Sequence, residues 1–370
     1  MSNKKMNVLL LKEGLRVFKR NLKVRKTGFK EYSGNAENIC KQIINDCYNN
    51  KENYFMTSTG HFRQFWTRDF GLCIKPLKEL GYQKKIISTL DYALNIFKKN
   101  KGITTTISPE GKAIDVSTYA PDSLAYILYS LIVANDKKLL KKYESFLKKE
   151  VKIFFEIVVD KKSGLVKRKH FSSMKDLSIR KSSCYDNTMV AWVSVSLDKL
   201  GIENPLKKYD YKKIIFEFFW TKEGFIDDLS GSNIISGDAN VVPYFTGLFN
   251  SKRMINISIK SMQKRKLDNP FPLKYTLERP KFIWFEIFNR DYEHQSIWPH
   301  MGLQYIEVVS KVNKKLAGDY LKKYSEMIVK HKTFPEVYTS NGKIYKNLLY
   351  HCDEGMLWAA MHLSLSKRLL

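Results

Sequence analysis

Apolar positions recur along this chain with the 3.6-residue period of a helix that turns one side to a core. Ile86, Leu90, Ala93, Leu94 and Phe97 share one face of a segment from about Lys84 to Lys99. Asn35 stands where an N-cap belongs for a helix from Ala36 to about Tyr48. A second segment starts near Asp69 and stops before Gly81, with Pro76 set to kink it. Pro121 is placed as the first residue of a helix to Ala134, and a long amphipathic helix follows over about 137–158. The helix that begins at Asp186 ends at Gly201. Further helices are predicted at about 208–219, 238–249, 252–265, 296–312, 315–331 and 354–368. Residues 1–33 form a basic lead-in with a helix near 8–21.

The total is about twelve helices and almost no strand. A Thr/Gly/Pro-rich stretch at 102–119 suits a hairpin, and Ser163-Gly164 marks a turn between short extended pieces. Residues 266–295 are rich in aromatics and proline without a clear period, which predicts a long functional loop. Every second helix begins after a loop of glycines, aromatics and carboxylates, near Asp69, Pro121, Asp186, Asp238, Ser296 and Glu354. These starts are about 50 to 65 residues apart. A loose six-fold repeat of helical hairpins predicts an all-α, (α/α)6 toroidal barrel over 34–370, with six helix N-termini around one mouth. An open solenoid has the same periodicity.

Composition narrows the class. Of 370 residues, 44% are hydrophobic, enough for a large core. The net charge of +27 attracts polyanions. Yet the lysines are scattered in ones and twos, as at Lys137, Lys138, Lys141, Lys142, Lys148 and Lys149, with no nucleic-acid signature. The charge therefore reads as a solvated surface, and no specific nucleic-acid partner is expected. The five cysteines, Cys40, Cys47, Cys73, Cys184 and Cys352, form no CxxC pair and suggest neither a disulfide framework nor a zinc site. The apolar run before Lys12 is too short for a signal peptide or a membrane span. A cytoplasmic location follows as an expectation.

Three stretches carry candidate chemistry. In Ser182-Ser183-Cys184-Tyr185-Asp186-Asn187-Thr188, Asp186 stands at the junction of a polar loop and an apolar helix. Backbone N–H groups and the helix dipole act on an acid there, although simple capping accounts for most such residues. Phe65-Trp66-Thr67-Arg68-Asp69 sets a donor-only side chain beside an acceptor-only one, with a Trp face next to them, which suits a sugar. Thr333-Phe334-Pro335-Glu336-Val337-Tyr338 puts Glu336 on a loop ahead of the last helix, on the same mouth as Asp186. Two separated carboxylates facing one cleft are what acetal hydrolysis needs, one protonated and one ionised.

Other residues divide between binding and plain structure. Asp122 and Asp238 open helices and serve as caps or as hydroxyl ligands; for Asp122 the dipole reading is slightly favoured. Asp227 and Asp228 are adjacent loop acids, ordinarily solvated. His300 reads as structural, and Trp192 and Trp358 as core. Tyr185 and Trp298 sit in loops and are the better stacking residues.

Taken together, Trp66-Thr67-Arg68-Asp69, Tyr185-Asp186-Asn187-Thr188, Ser296-Ile297-Trp298-Pro299 and Glu336 with its following Gly-x-Leu-Trp-type helix resemble the (α/α)6-barrel glycoside hydrolases. That group includes glucoamylase, trehalase, processing α-glucosidase, neutral invertase and the amylo-α-1,6-glucosidase part of debranching enzymes. The resemblance implies Asp186 as general acid and Glu336 as general base. It also implies that Arg68 and Asp69 bind the sugar whose bond is cut and that the segment around Trp298 shapes its pocket. The expected activity is hydrolysis of an α-glycosidic bond, α-glucosidic by preference, with inversion and no metal or organic cofactor. Trp66, Arg68, Asp69, Asp122, Tyr185, Asn187, Asp238 and Trp298 are the expected carbohydrate-binding residues. A non-catalytic glycan- or polyanion-binding protein on the same scaffold, and a phosphorylase or lyase acting on related sugars, are the alternatives.

Overall fold

The computed structural model describes residues 3–278 and 289–370, with side chains from residue 14 onward. Its helices are α1 (Asn3–Thr27), α2 (Ala36–Asp46), α3 (Thr67–Glu79), α4 (Gln83–Asn100), α5 (Pro121–Ala134), α6 (Lys137–Val158) and α7 (Cys184–Leu200). They continue with α8 (Tyr211–Phe219), α9 (Gly237–Phe245), α10 (Lys252–Lys264), α11 (Pro299–Ser310), α12 (Lys314–His331) and α13 (Ala359–Leu369). Helices α3, α5, α7, α9, α11 and α13 pack each against the next, and α13 packs back on α3. The ring is therefore closed, and the solenoid is excluded. Helices α2, α4, α6, α8, α10 and α12 surround it, each against one or two inner helices.

The two rings differ in sequence because they differ in surroundings. An inner helix is covered on every side, so it has no polar face. Burial runs unbroken from Pro121 to Leu128 in α5, from Cys184 to Val193 in α7 and from Pro299 to Ile306 in α11. An outer helix keeps one stripe: Leu139, Tyr143, Phe146, Leu147, Val151, Phe154 and Val158 are the buried apolar side of α6, and its lysines face water. Gly71 lets α3 and α5 touch, since a Cβ there would come within 2.5 Å of the Tyr126 ring.

Connections at the two ends of the ring are unequal. Inner helices pass to outer ones through short turns, such as 80–82, 135–136 and 311–313. Outer helices return through long segments at 101–120, 159–183, 220–236, 265–298 and 332–358, all delivered to the N-termini of the inner helices. Among the described residues four two-residue strands lie in these segments and three more in 47–66, the return from α2 to α3. β4 (Thr106–Ile107) pairs antiparallel with β5 (Ala113–Ile114), which is the expected hairpin, and with β3 (Phe65–Trp66). Isolated bridges tie neighbouring segments together, Lys274 to Ile297 to Tyr338 and Ser58 to Met356.

Several helix boundaries differ from the sequence reading; among them, α8 starts at Tyr211 and not near 208, and α9 ends at Phe245 and not near 249. The last inner helix starts at Ala359 and not near Glu354, because Gly355 adopts φ +62° against Thr59; a Cβ there would meet the Thr59 hydroxyl at 2.0 Å. The fifth starts at Pro299, which fixes N1. The lead-in helix runs over 3–27, longer than 8–21. It lies on the mouth: Arg16 donates to the His61 carbonyl and to Gln64, Arg20 pairs with Glu354, and Asn21 donates to the Leu348 carbonyl at 3.0 Å.

Candidate active site

A narrow cavity of ≈ 90 Å³ opens at the N-terminal end of the inner ring. Trp66, Arg68 and Asp69 reach it from the start of α3, and Trp298 and His300 from the start of α11. Met174 and Asp176 come from 159–183, Tyr275, Tyr292 and Glu293 from 265–298, and Glu336, Met356 and Trp358 from 332–358. Four carboxylates, one guanidinium and several aromatic faces thus converge on one small space.

Glu336 is held by three donors. Tyr292 donates to Oε1 at 2.7 Å, and Tyr350 and the Asp353 backbone N–H donate to Oε2 at 2.6 and 2.8 Å. Burial pushes its pKa up to about 7, helped by the charge of Asp353, while the three donors act against that rise. Glu336 is thus an acceptor-only group poised near neutrality.

Asp176 and Glu293 form a second acidic point. The Leu177 N–H, next to Asp176, donates to Glu293 at 3.0 Å, and the Ser178 hydroxyl donates at 2.9 Å. Burial, then the charge of Asp176, raises Glu293 to about 7. Asp176 accepts on Oδ1 alone among the described hydrogen bonds, from Ser172 at 2.9 Å and Arg68 at 3.1 Å. Asp69 accepts from the Trp358 indole N–H at 2.8 Å, and burial raises its pKa to about 6. Burial holds His300 neutral, at about 3, with Tyr275 at 3.3 Å from its Nε2.

Behind this wall lies a layer of acids at the inner helix starts, neutralised by two buried arginines. Arg68 bonds Asp122 at 2.7 Å; Arg180 bonds Asp238 at 2.6 Å and Asp227 at 3.2 Å. Lys175 stands 3.5 Å from Asp227. These acids are buried with their counter-charges and face protein.

Five of the expected residues meet at the cavity: Trp66, Arg68, Asp69, Trp298 and Glu336. The other five do not reach it. Asp122 and Asp238 are ligands of Arg68 and Arg180. Tyr185 donates to Asp122 at 2.8 Å. Asn187 donates to the Ser183 carbonyl at 2.7 Å and accepts from the Val166 N–H at 3.0 Å, so it pins the preceding segment. Asp186 exchanges hydrogen bonds with Ser183: its N–H donates to Oγ at 3.0 Å and its Oδ2 accepts from that hydroxyl at 2.6 Å. The 172–176 loop supplies Met174 and Asp176 to the cavity wall at this place, and Asp186 is not part of that wall. Burial nonetheless raises Asp186 to about 6.

Other expectations need correction. Trp358 is a buried core residue that also lines the cavity, and so does His300, which is therefore not merely structural. Asp227 and Asp228 are buried, not solvated. Trp192 is core, packed on Tyr126 and Tyr129. Asp176 and Glu293 were missed. Glu293 lies in the aperiodic 266–295 stretch marked as a functional loop, and 279–288 of that stretch fall outside the described residues. No spacing signal marks Asp176, which follows no helix start.

No protein-family profile and no curated protein sequence matches the chain. Solved structures do match. A rhamnosidase from Klebsiella oxytoca with rhamnose bound superposes with TM-score 0.64 at 11% identity, over 90% of this chain and 63% of that one. A wild-type glycosidase superposes with TM-score 0.63 at 10% identity, over 90% of this chain and 96% of that one. A bacterial glucoamylase complexed with acarbose gives TM-score 0.62 at 13% identity, over 89% of this chain and 54% of that one. The chain thus spans less than two thirds of the rhamnosidase and of the glucoamylase, and nearly all of the glycosidase. At these identities the likeness is one of fold: the closed double ring of helices is the (α/α)6 barrel found in rhamnosidase, glycosidase and glucoamylase structures alike.

Proposed function

We propose that this protein is a glycoside hydrolase that cleaves an α-linked sugar with inversion of the anomeric centre. The observation that carries the reading is one narrow cavity with Glu336 at one place and the Asp176–Glu293 pair at another, between aromatic walls. The rhamnose-bound rhamnosidase and the acarbose-bound glucoamylase support rhamnose and glucose as the first sugars to test.

Glu336 is the general base. It takes a proton from water while the water oxygen bonds to the anomeric carbon. The bond from that carbon to the leaving oxygen breaks, and a proton from the Asp176–Glu293 pair completes the departing alcohol. Two neighbouring carboxylates do not both ionise readily, so the pair retains a proton near neutral pH. Glu293, raised by burial and by the charge of Asp176, carries it. Arg68 and Asp69 grip the sugar hydroxyls, and Trp66, Trp298 and Trp358 supply faces for the ring.

A screen of α-linked glucosides and rhamnosides, with the product anomer read by NMR, tests this. Turnover giving the inverted anomer, abolished in Glu336→Gln and in Glu293→Gln, is the expected result. Turnover that survives Glu336→Gln, or a retained anomer, overturns the assignment. Turnover only with added phosphate would make the protein a phosphorylase.

A further inference from the structure

A second cavity, ≈ 460 Å³, adjoins the first and shares Phe62, Trp66, Asp176, Tyr292 and Glu293 with it. Its character is different. The first holds Arg68, Asp69, His300 and Glu336; the second replaces them mainly with Val17, Ile114, Val116, Leu177 and Leu349, and its further polar members are bonded to protein, Gln64 to Thr106, Asn289 to Asn347 and Tyr350 to Glu336. Asp176 and Glu293, the proposed proton donors, border both chambers. Glu336 borders only the first.

On the glycosidase reading, this arrangement has a direction. The proton donor must face the leaving oxygen, and the base must face the sugar side, where water attacks. The chamber beyond Asp176 and Glu293 is then where the leaving group sits. A polyhydroxylated leaving group, such as a second sugar, would strip its hydroxyls of water against valine, isoleucine and leucine there, and the Gln64, Asn289 and Tyr350 side chains beside them already hold protein partners. Apolar atoms gain from the same transfer. We infer that the leaving group of this enzyme is apolar, an alkyl or aryl alcohol, and that the chamber between α1 and the mouth loops is its binding site. Helix α1 is the roof of that chamber through Gly14 and Val17. The helix is fastened by Arg16, Arg20 and Asn21 to the loops that carry His61, Leu348 and Glu354.

The test compares matched methyl and hexyl α-glycosides of glucose and of rhamnose, the chain being short enough to avoid micelles. Wild-type enzyme should favour the hexyl member in kcat/KM by about tenfold or more. Val17→Asp on the roof and Leu349→Asp on the rim, both partly exposed and tolerant of a charge, should each shrink the hexyl-to-methyl ratio toward one. Equal kcat/KM within the pairs, a ratio unmoved in both variants, or faster cleavage of a matching disaccharide than of the hexyl glycoside overturns the inference. If no glycoside is turned over, the hydrolase reading fails separately, and calorimetry with the same pair decides. Tighter hexyl than methyl binding, weakened by Val17→Asp, upholds an apolar site; equal binding, or none, overturns it.

Discussion

The Tyr292 hydroxyl donates to Glu336 at 2.7 Å, and Tyr292 is the residue next to Glu293. One short segment therefore carries a donor to the proposed base and half of the proposed acid pair. Donors to a carboxylate favour its charged form. Tyr292→Phe and Tyr350→Phe should each raise the pKa of Glu336. The acid limb of the kcat/KM profile should move to higher pH, with about a tenfold loss of rate at pH 6. A pH–rate profile of each variant measures it, and an unmoved acid limb would show that Glu336 does not set it.

Asp176 and Asp186 are separated by their surroundings more than by their position in the chain. Glu293→Gln should lower kcat by about 10² to 10⁴, and Asp176→Asn, which removes a charge that raises Glu293, should lower it by less. Asp186→Asn, which keeps a partner for Ser183, should cost less than about tenfold. The reverse order would return the acid role to Asp186.

Glu293 is strained by its own charge. Its folded pKa of about 7 lies above the ordinary 4.5, so the stability it contributes is full below pH 4.5 and is lost as pH rises through 7. Glu293→Gln removes the ionisation. The variant should melt at a higher temperature than wild type at pH 8, and the difference should vanish near pH 4. Calorimetric scans at the two values read this directly.

Arg68 joins the acid layer to the cavity. Arg68→Met leaves Asp122 buried without its guanidinium and should destabilise the fold by about 3–5 kcal/mol. Arg68→Lys should recover part of the stability but less of the activity, because a single ammonium does not reproduce the span from Asp122 to Asp176. Urea melts and kcat/KM of both variants separate the two effects.

Asn187 and Asn240 make equivalent bonds one repeat apart. Asn187 donates to the Ser183 carbonyl, and Asn240 to that of Ser236 at 3.0 Å; each accepts from the backbone of the segment before it, Val166 and Phe225. Truncating either to Ala should cost about 1–3 kcal/mol by orphaning buried backbone groups. Binding of small sugars should be unaffected, as neither amide faces the cavity.

These residues show what a sequence can and cannot convey. Four of the six inner helix starts were legible to within two residues, because a helix covered on all sides must be apolar on all sides, and its start must follow a polar loop. Trp66, Arg68 and Asp69 were legible as a local donor, acceptor and face in three neighbouring positions. Asp122, Asp186 and Asp238 looked the same as Asp69 from their local setting. What separates them is distant: Arg180 for Asp238, Arg68 for Asp122, and the 172–176 loop beside Asp186. Trp358 has the apolar neighbours of a core residue, and only the fold sets its indole N–H on Asp69. Glu293 belongs to a stretch with no periodicity, so no pattern could single it out. Closure of the ring was equally hidden, because it is a contact between helices almost three hundred residues apart.

That contact makes the site a report on the whole chain. Asp353 gives its N–H to Glu336 and accepts from the N–H groups of His61 and Phe62 at 2.8 and 2.9 Å. The proposed base is therefore positioned by a junction between the first and last hairpins of the ring. During synthesis this junction forms only after the final segment has emerged, and contacts of such sequence separation form late in folding. A chain that has made ten of its twelve ring helices has most of its core and no aligned base. On the proposed mechanism, catalysis begins when the circle is complete.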